Sequence, residues 1–409
     1  MTVSFVSRGK VHSLSCPRIS TLTELSGLMY AAYAEVTVRH TEIKMIIISR
    51  ILIRLFITDS IEINRTIYNP LLKRYIVFMK KISLTGIKPT GDLHIGNYFG
   101  AIRPALELAK EYDARYFIAD YHALNTMKNP EELNSTIRQV AAGWLASGLD
   151  PEKVIFYRQS SIPEVFELTT MLMAFTSKGL MNRAHAYKAA VQENEEKGAD
   201  TDAGINMGLF TYPVLMAADI IIFDSDVVPV GKDQVQHIEM AQDIAQSINA
   251  NYGKQVLKVP QAAVQENAAV VPGLDGRKMS KSYGNTIPLF APEKTLHKTI
   301  MRIVTNSQSV EEPKDPDTCQ IFQLYKLFSQ AGEQDALAKR YRAGGMGWGE
   351  AKEELFRVVN RTIAPIKEKY DAIMADIPAL DKILEQGARK ARPIAAAVVN
   401  RFRKAAGID

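Results

Sequence analysis

Two cysteines, Cys16 and Cys319, stand in 409 residues. That is too few for a disulfide framework and too few for a four-thiolate zinc or iron–sulfur site, so no protein-held metal is expected. The pair suits a reducing compartment, and the cytoplasm is the expected location. Long apolar runs are missing too. MIIISRILIRLFI (45–57) is interrupted by Arg50 and Arg54 and falls short of the roughly 20 residues that cross a bilayer, so no membrane partner is expected. The start shows no charged-then-apolar order of a secretory signal.

Charged residues make up an ordinary 23% of the chain, but an excess of one sign is scarce and unevenly placed. Residues 1–78 carry ten Lys and Arg against five Asp and Glu, the whole of the net charge of +5. The rest is neutral, so nucleic-acid binding must come from a local patch. Residues 1–78 also lack the periodicity of a domain. They read as a poorly structured N-terminal extension, upstream sequence ahead of a start at Met79 in preference to an organelle leader.

From residue 79 the pattern alternates. KISLTGI (81–87), ARYFIAD (114–120), KVIFYRQ (153–159) and DVVPVG (226–231) predict strands. Between them lie predicted helices: 94–112, a helix opened by Asn129-Pro130-Glu131-Glu132 and closed by Gly148, one after Pro163, and 233–253. This predicts an α/β fold, a doubly wound parallel-sheet (Rossmann-like) nucleotide-binding domain over 79–285. Strand signals then vanish, so 286–409 predicts a C-terminal α-helical domain.

Two segments carry chemistry. GIKPTGDLHIGN (86–97) ends the first of those strands and opens a helix. Ligands of open parallel sheets bind beyond the carboxyl ends of strands. Gly86 and Gly91 permit a tight turn and Pro89 stiffens it. The helix start offers N–H groups and a positive dipole end to an anion. His94 and Asn97 share one side of its first turn, and Gly96 leaves a flat surface where a base or ribose can lie. The segment is neither Gly-x-Gly-x-x-Gly nor a Walker loop, which disfavours hydride transfer and P-loop hydrolysis. GLDGRKMSKSYGN (273–285) has no regular period. Its glycines predict mobility, and Lys278 and Lys281 are spaced to meet a polyphosphate. Each segment alone is open to a plain structural reading; together they are specific.

HIGN (94–97) and KMSKS (278–282) resemble the two signatures of class I aminoacyl-tRNA synthetases, with Asn97 where a final His is commoner. LFTYPVLMAADIIIFDSDVVPVGKDQVQHIE (209–239), QSSIPE (159–164), GMGWGEAKEEL (345–355) and LEQGARKARPIA (384–395) are similar to the tryptophanyl branch. The resemblance runs from about residue 81 to the C-terminus. It implies ATP with Mg²⁺, L-tryptophan and tRNA(Trp) as partners, and a homodimer. It implies catalysis by His94, Asn97, Lys278, Lys281 and Ser282. ATP would also meet Lys88, Pro89, Thr90, Gly96, Gly231, Lys232, Asp233, Val270, Met279 and Ser280. Lys88 stands where relatives often carry Gln, and meets a carboxylate or phosphate as a point charge.

Tryptophan choice is assigned to Asp219, a carboxylate in an apolar helical run that needs a donor such as the indole N–H. Met216 would pack on the ring, and Tyr212, Gln234 and His122 would hold the ammonium and carboxylate. Arg389, Lys390, Arg392, Arg401, Arg403 and Lys404 would meet tRNA phosphates. Alternatives are the tyrosyl enzyme, a small adenylyltransferase or a non-catalytic RNA-binding paralogue.

Overall fold

The computed structural model describes residues 2–7, 10–15, 80–89, 91–231, 234–264 and 271–409. The N-terminal unit, Met1–Tyr75, contains an antiparallel pair, β1 (Thr2–Ser7) and β2 (Lys10–Ser15), with Thr2 opposite Ser15 and Ser7 opposite Lys10.

The second unit, Ile76–Asp409, is built on five parallel strands. These are β3 (Ile82–Ile87), β4 (Asp113–Ile118), β5 (Ile155–Arg158), β6 (Val227–Val230) and β7 (Gln261–Val264). Their order across the sheet is β5-β4-β3-β6-β7. The chain winds outward from β3 to β5, then crosses to β6 on the other flank. The strand order therefore reverses at β3, where ligand crevices of such sheets form. The predicted α/β fold is observed. β7 escaped the sequence reading because QAAV has one β-branched residue and lies half-exposed at the sheet edge.

The helix predicted over 94–112 is broken. Three helical residues (α1, Ile95–Asn97) lead into a π-helical turn, Tyr98–Ile102, and then α2 (Arg103–Glu111). Pro104 explains the break, because it lacks the N–H that would close on Gly100. A short helix α3 (Asp120–Ala123) follows β4. The Asn129 start is observed as predicted: in α4 (Pro130–Ala146) the Asn129 side chain accepts from the N–H groups of Glu131 and Glu132. Then come α5 (Glu164–Met173), α6 (Met207–Ile221) and α7 (Val235–Asn251). The C-terminal part ends in two long helices, α8 (Trp348–Ala375) and α9 (Ile377–Ala406).

Two cores sandwich the sheet. One gathers Ile95, Ile102, Trp144, Leu289, Tyr341, Val359 and Leu384; the other gathers Leu168, Leu172, Ile220, Phe223, Ile244, Val398 and Phe402. Helix α9 belongs to both. Leu380 and Leu384 fill the first core, and Ala388 to Phe402 the second. It crosses the edge strand β5 at Gly387, where a Cβ would lie 1.7 Å from the Phe156 carbonyl oxygen.

Three of the basic residues expected to meet tRNA phosphates also tie α9 to the rest of the chain. Arg401 pairs with Asp224 at 2.6 and 3.0 Å and donates to Val256 O. Arg392 pairs with Glu164, and Arg403 with Glu167. The carboxylates they meet lie on the first turn of α5 and just beyond α6, so these pairs dock α9. Arg389 pairs with Glu385 within the helix, Lys390 donates to Pro151 O, and Lys404 is exposed.

Candidate functional site

The two signature segments meet. Immediately after β3, Lys88 is half-buried and Pro89 buried. Burial lowers the Lys88 ammonium below its ordinary range. Gly91 takes φ +64°, a backbone state that favours glycine. A Cβ there would face the Lys281 ammonium at 3.4 Å. The Gly96 N–H points at Met279 Sδ, 3.3 Å away. The chain beyond the loop clips onto the turn: Ile95 N–H donates to Ile287 O, and Leu289 N–H to Leu93 O.

The helix start is less open to anions than its sequence implies. His94 caps it, and its own N–H donates to the Asn97 side-chain oxygen at 3.0 Å. Asn97 therefore braces the turn with its oxygen, leaving its amide N–H₂ as the end that can reach a ligand. His94 is buried. Desolvation, with the Lys281 charge nearby, pushes its pKa down to about 4. It is neutral at pH 7, a donor or acceptor without charge.

The depressed His94 pKa makes folded stability depend on pH. As pH falls from 6.5 towards 4, an unfolded chain takes up a proton that native His94 refuses, so the folded state loses ground. Above pH 6.5 neither state is protonated there and no penalty exists. Urea midpoints at pH 7 and pH 5 should therefore fall further for the wild type than for His94→Asn. Equal falls would refute the assignment.

Hydrogen bonds within the KMSKS loop shape it into a turn. Asn285, buried, organises it: its side-chain oxygen accepts from Ser280 N–H at 2.8 Å, and its amide donates to Asp275 at 2.7 Å and to Lys278 O. A Cβ on Gly273 would come 2.3 Å from that amide, so this glycine serves close packing. Met279 is buried and its N–H donates to Val271 O. Ser280 and Ser282 share a hydroxyl contact at 3.0 Å. Lys278 and Lys281 are exposed. Though Lys281 is exposed as a residue, partial desolvation of its ammonium lowers its pKa, opposed by Asp92. Asn285 was missed by sequence reasoning, though its place directly after the signature was visible.

A second cluster lies at the same sheet edge, on the neighbouring strand ends. Ala119 N–H donates to Ile87 O, joining them. Asp219, on α6, is buried. Gln159, the residue after β5, donates to both its oxygens at 2.8 Å, and His122 on α3 sits 3.0 Å from Oδ2. Desolvation raises the Asp219 pKa, and the contacts from His122 and Gln159 oppose it. The structure brings Asp219 and His122, read separately from the sequence, into one cluster and adds Gln159, whose own oxygen accepts from Tyr121 N–H. Tyr212 lies one and two turns from Met216 and Asp219 on α6, its ring 6.4 Å from His122. Its hydroxyl bonds His237 at 2.9 Å. Met216 is half-buried against the second core. Gln234 caps α7 and donates to Gly231 O, beyond β6. Thr90, Lys232, Asp233 and Val270 lie outside the described residues.

A reversing parallel sheet, a His-Ile-Gly-Asn turn at its central strand and a two-lysine loop clipped over that turn define a class I nucleotide-activating site. The family model described as tRNA synthetases class I (W and Y) matches residues 80–364. The chain belongs to that family. It is 50% identical over 329 residues to a Tryptophan--tRNA ligase of Pseudomonas aeruginosa, covering 80% of this chain and 73% of the relative. A Tryptophan--tRNA ligase of Neisseria meningitidis is 48% identical, with 80% and 98% covered. The solved tryptophanyl-tRNA synthetase of Campylobacter jejuni, complexed with ADP and tryptophan, superposes with TM-score 0.74 at 45% identity, over 80% of this chain and 99% of that one. Tyrosyl-tRNA synthetase of Archaeoglobus fulgidus shares the fold at 18% identity and TM-score 0.51.

Proposed function

We propose that this protein joins L-tryptophan to tRNA(Trp) at the expense of ATP, through a tryptophanyl adenylate. The carrying observation is the buried Asp219, held by Gln159 and His122 beside the nucleotide turn. Its remaining lone pairs suit the indole N–H. Phenylalanine would leave the carboxylate short of a donor, and tyrosine would place its hydroxyl elsewhere; sites of this kind reject such analogues by roughly 10⁴–10⁵. Met216 packs on the ring, and Tyr212, Gln234 and His122 face the ammonium and carboxylate.

The carboxylate oxygen of tryptophan attacks the α-phosphorus, and pyrophosphate leaves with its electron pair. No base is needed, since the nucleophile is already ionised. Catalysis rests on positioning and on charge placed where the phosphates gain it. ATP enters with Mg²⁺ as its counterion. Lys278 and Lys281 take the departing pyrophosphate, with Ser280 and Ser282 donating. Neutral His94 and the Asn97 amide meet the phosphates, and Gly96 carries adenosine. Lys88, Pro89 and Thr90 line the turn. Beyond β6, Gly231, Lys232 and Asp233 receive the ribose, and Val270 the adenine. A tRNA ribose hydroxyl then displaces AMP. The working form is a homodimer.

Pyrophosphate exchange into ATP, run with tryptophan and separately with tyrosine, tests the reading: exchange with tryptophan is expected, and exchange with tyrosine alone would establish the tyrosyl enzyme. Lys278→Ala should lower kcat about 10²-fold or more while tryptophan KM changes little. Equal losses in both would remove Lys278 from the transition state.

A further inference from the structure

The outer side of the signature loop bears a feature that activation of the amino acid does not use. Tyr283 is 55% exposed, an unusual place for a ring one residue from a catalytic motif. The Arg277 guanidinium lies over it, 4.4 Å from the ring centre. Arg277 is itself 62% exposed in its side chain. The pair is rigid. Asp275 grips Arg277 through Nε at 2.7 Å and a terminal nitrogen at 2.6 Å. Asn285 grips Asp275 in turn, and hydrogen bonding to it holds the Asp275 carboxyl below its usual range. Gly284, at φ +62°, closes the short helical turn Lys281–Tyr283 that carries the ring.

We infer that Arg277 and Tyr283 form a stacking shelf for an unpaired base of the tRNA 3′ end. The inference rests on the tRNA-ligase reading for its choice of RNA. Planar guanidinium and aromatic faces stack on bases regardless of base identity. The Arg277 charge is already met by Asp275, so the shelf offers surface more than phosphate attraction. Single-stranded RNA must pass this loop to bring its terminal ribose to an adenylate made between Lys278, Lys281 and the turn. The shelf places a base beside that route and, by loading the loop from outside, holds it closed during transfer.

The test is a cycle of tRNA affinities by fluorescence anisotropy, using tRNA(Trp) transcripts with and without the unpaired 3′ nucleotides. For the wild type, removing those nucleotides should weaken binding about 5- to 50-fold. For Tyr283→Ala the same removal should change affinity less than twofold, and Tyr283→Trp should restore the wild-type difference. The slope of affinity against salt should be the same for wild type and Tyr283→Ala, since no phosphate contact is lost. Equal truncation effects in wild type and Tyr283→Ala would overturn the shelf. So would a fall in tryptophan-dependent pyrophosphate exchange matching the loss of tRNA affinity, which would mark Tyr283 as a brace of the loop. Exchange with tyrosine in place of tryptophan would overturn the substrate reading and leave the cycle readable with the tyrosine tRNA.

Discussion

Asp219→Ala is expected to lower tryptophan-dependent pyrophosphate exchange by about 10⁴-fold while ATP still binds. Two losses combine. The indole N–H has no acceptor, and the donors that held the carboxylate, Gln159 Nε2 and His122 Nε2, are left facing one another across a void. Unpaired buried donors cost about 1–3 kcal/mol each. Asp219→Asn keeps one oxygen for Gln159, so it should fold nearly as well as the wild type and still lose most exchange. Exchange kinetics and ATP titration calorimetry check both. Exchange within tenfold of wild type in the alanine variant would remove Asp219 from substrate recognition. Gln159→Leu offers a companion measurement: with its orienting donor gone, tryptophan KM should rise further than kcat falls.

Gly387→Ala is expected to destabilise the protein by about 3 kcal/mol or more. Helix propensity alone argues the opposite, since alanine in a helix interior is about 1 kcal/mol better than glycine. The tertiary contact decides. A Cβ would sit 1.7 Å from the Phe156 oxygen and 2.5 Å from its carbonyl carbon, and backbone of a paired strand cannot yield. Helix α9 must lift from β5 and strain the pairs Arg392–Glu164 and Arg401–Asp224. Because Gln159 follows β5 directly, tryptophan KM should rise as well. Urea unfolding measures the first effect and exchange kinetics the second; a variant as stable as the wild type would show that α9 does not seat on β5 as described.

The α/β alternation was legible because each long element advertises itself locally. Asn129-Pro130-Glu131 caps a helix through contacts within its own first turn. IFYR and VVPV are short apolar runs with nowhere to go but a buried parallel sheet. Both signatures were legible as ligand segments for the same reason, their turn chemistry being written in adjacent residues. Their clip, Gly96 onto Met279, was not legible, because it joins residues 183 apart in sequence. The role of Gln159 was hidden in the same way: a glutamine after a strand is unremarkable until α6 brings a carboxylate against it. The internal pairing of the basic run 389–404 was hidden for the converse reason. Charge is visible in sequence, but the carboxylates that consume it, Asp224, Glu164 and Glu167, are distant in the chain.

By itself the sequence determined the class of fold, the family, the two signature segments and a lone carboxylate in an apolar helical run. Each rests on local spacing, which survives without knowledge of neighbours. The tertiary structure decided which donors hold Asp219, that Asn285 shapes the lysine loop, that His94 is uncharged, and that arginines of the last helix dock it across the sheet edge. Those depend on burial and on contacts between distant segments, and both come into being only when the chain closes on itself.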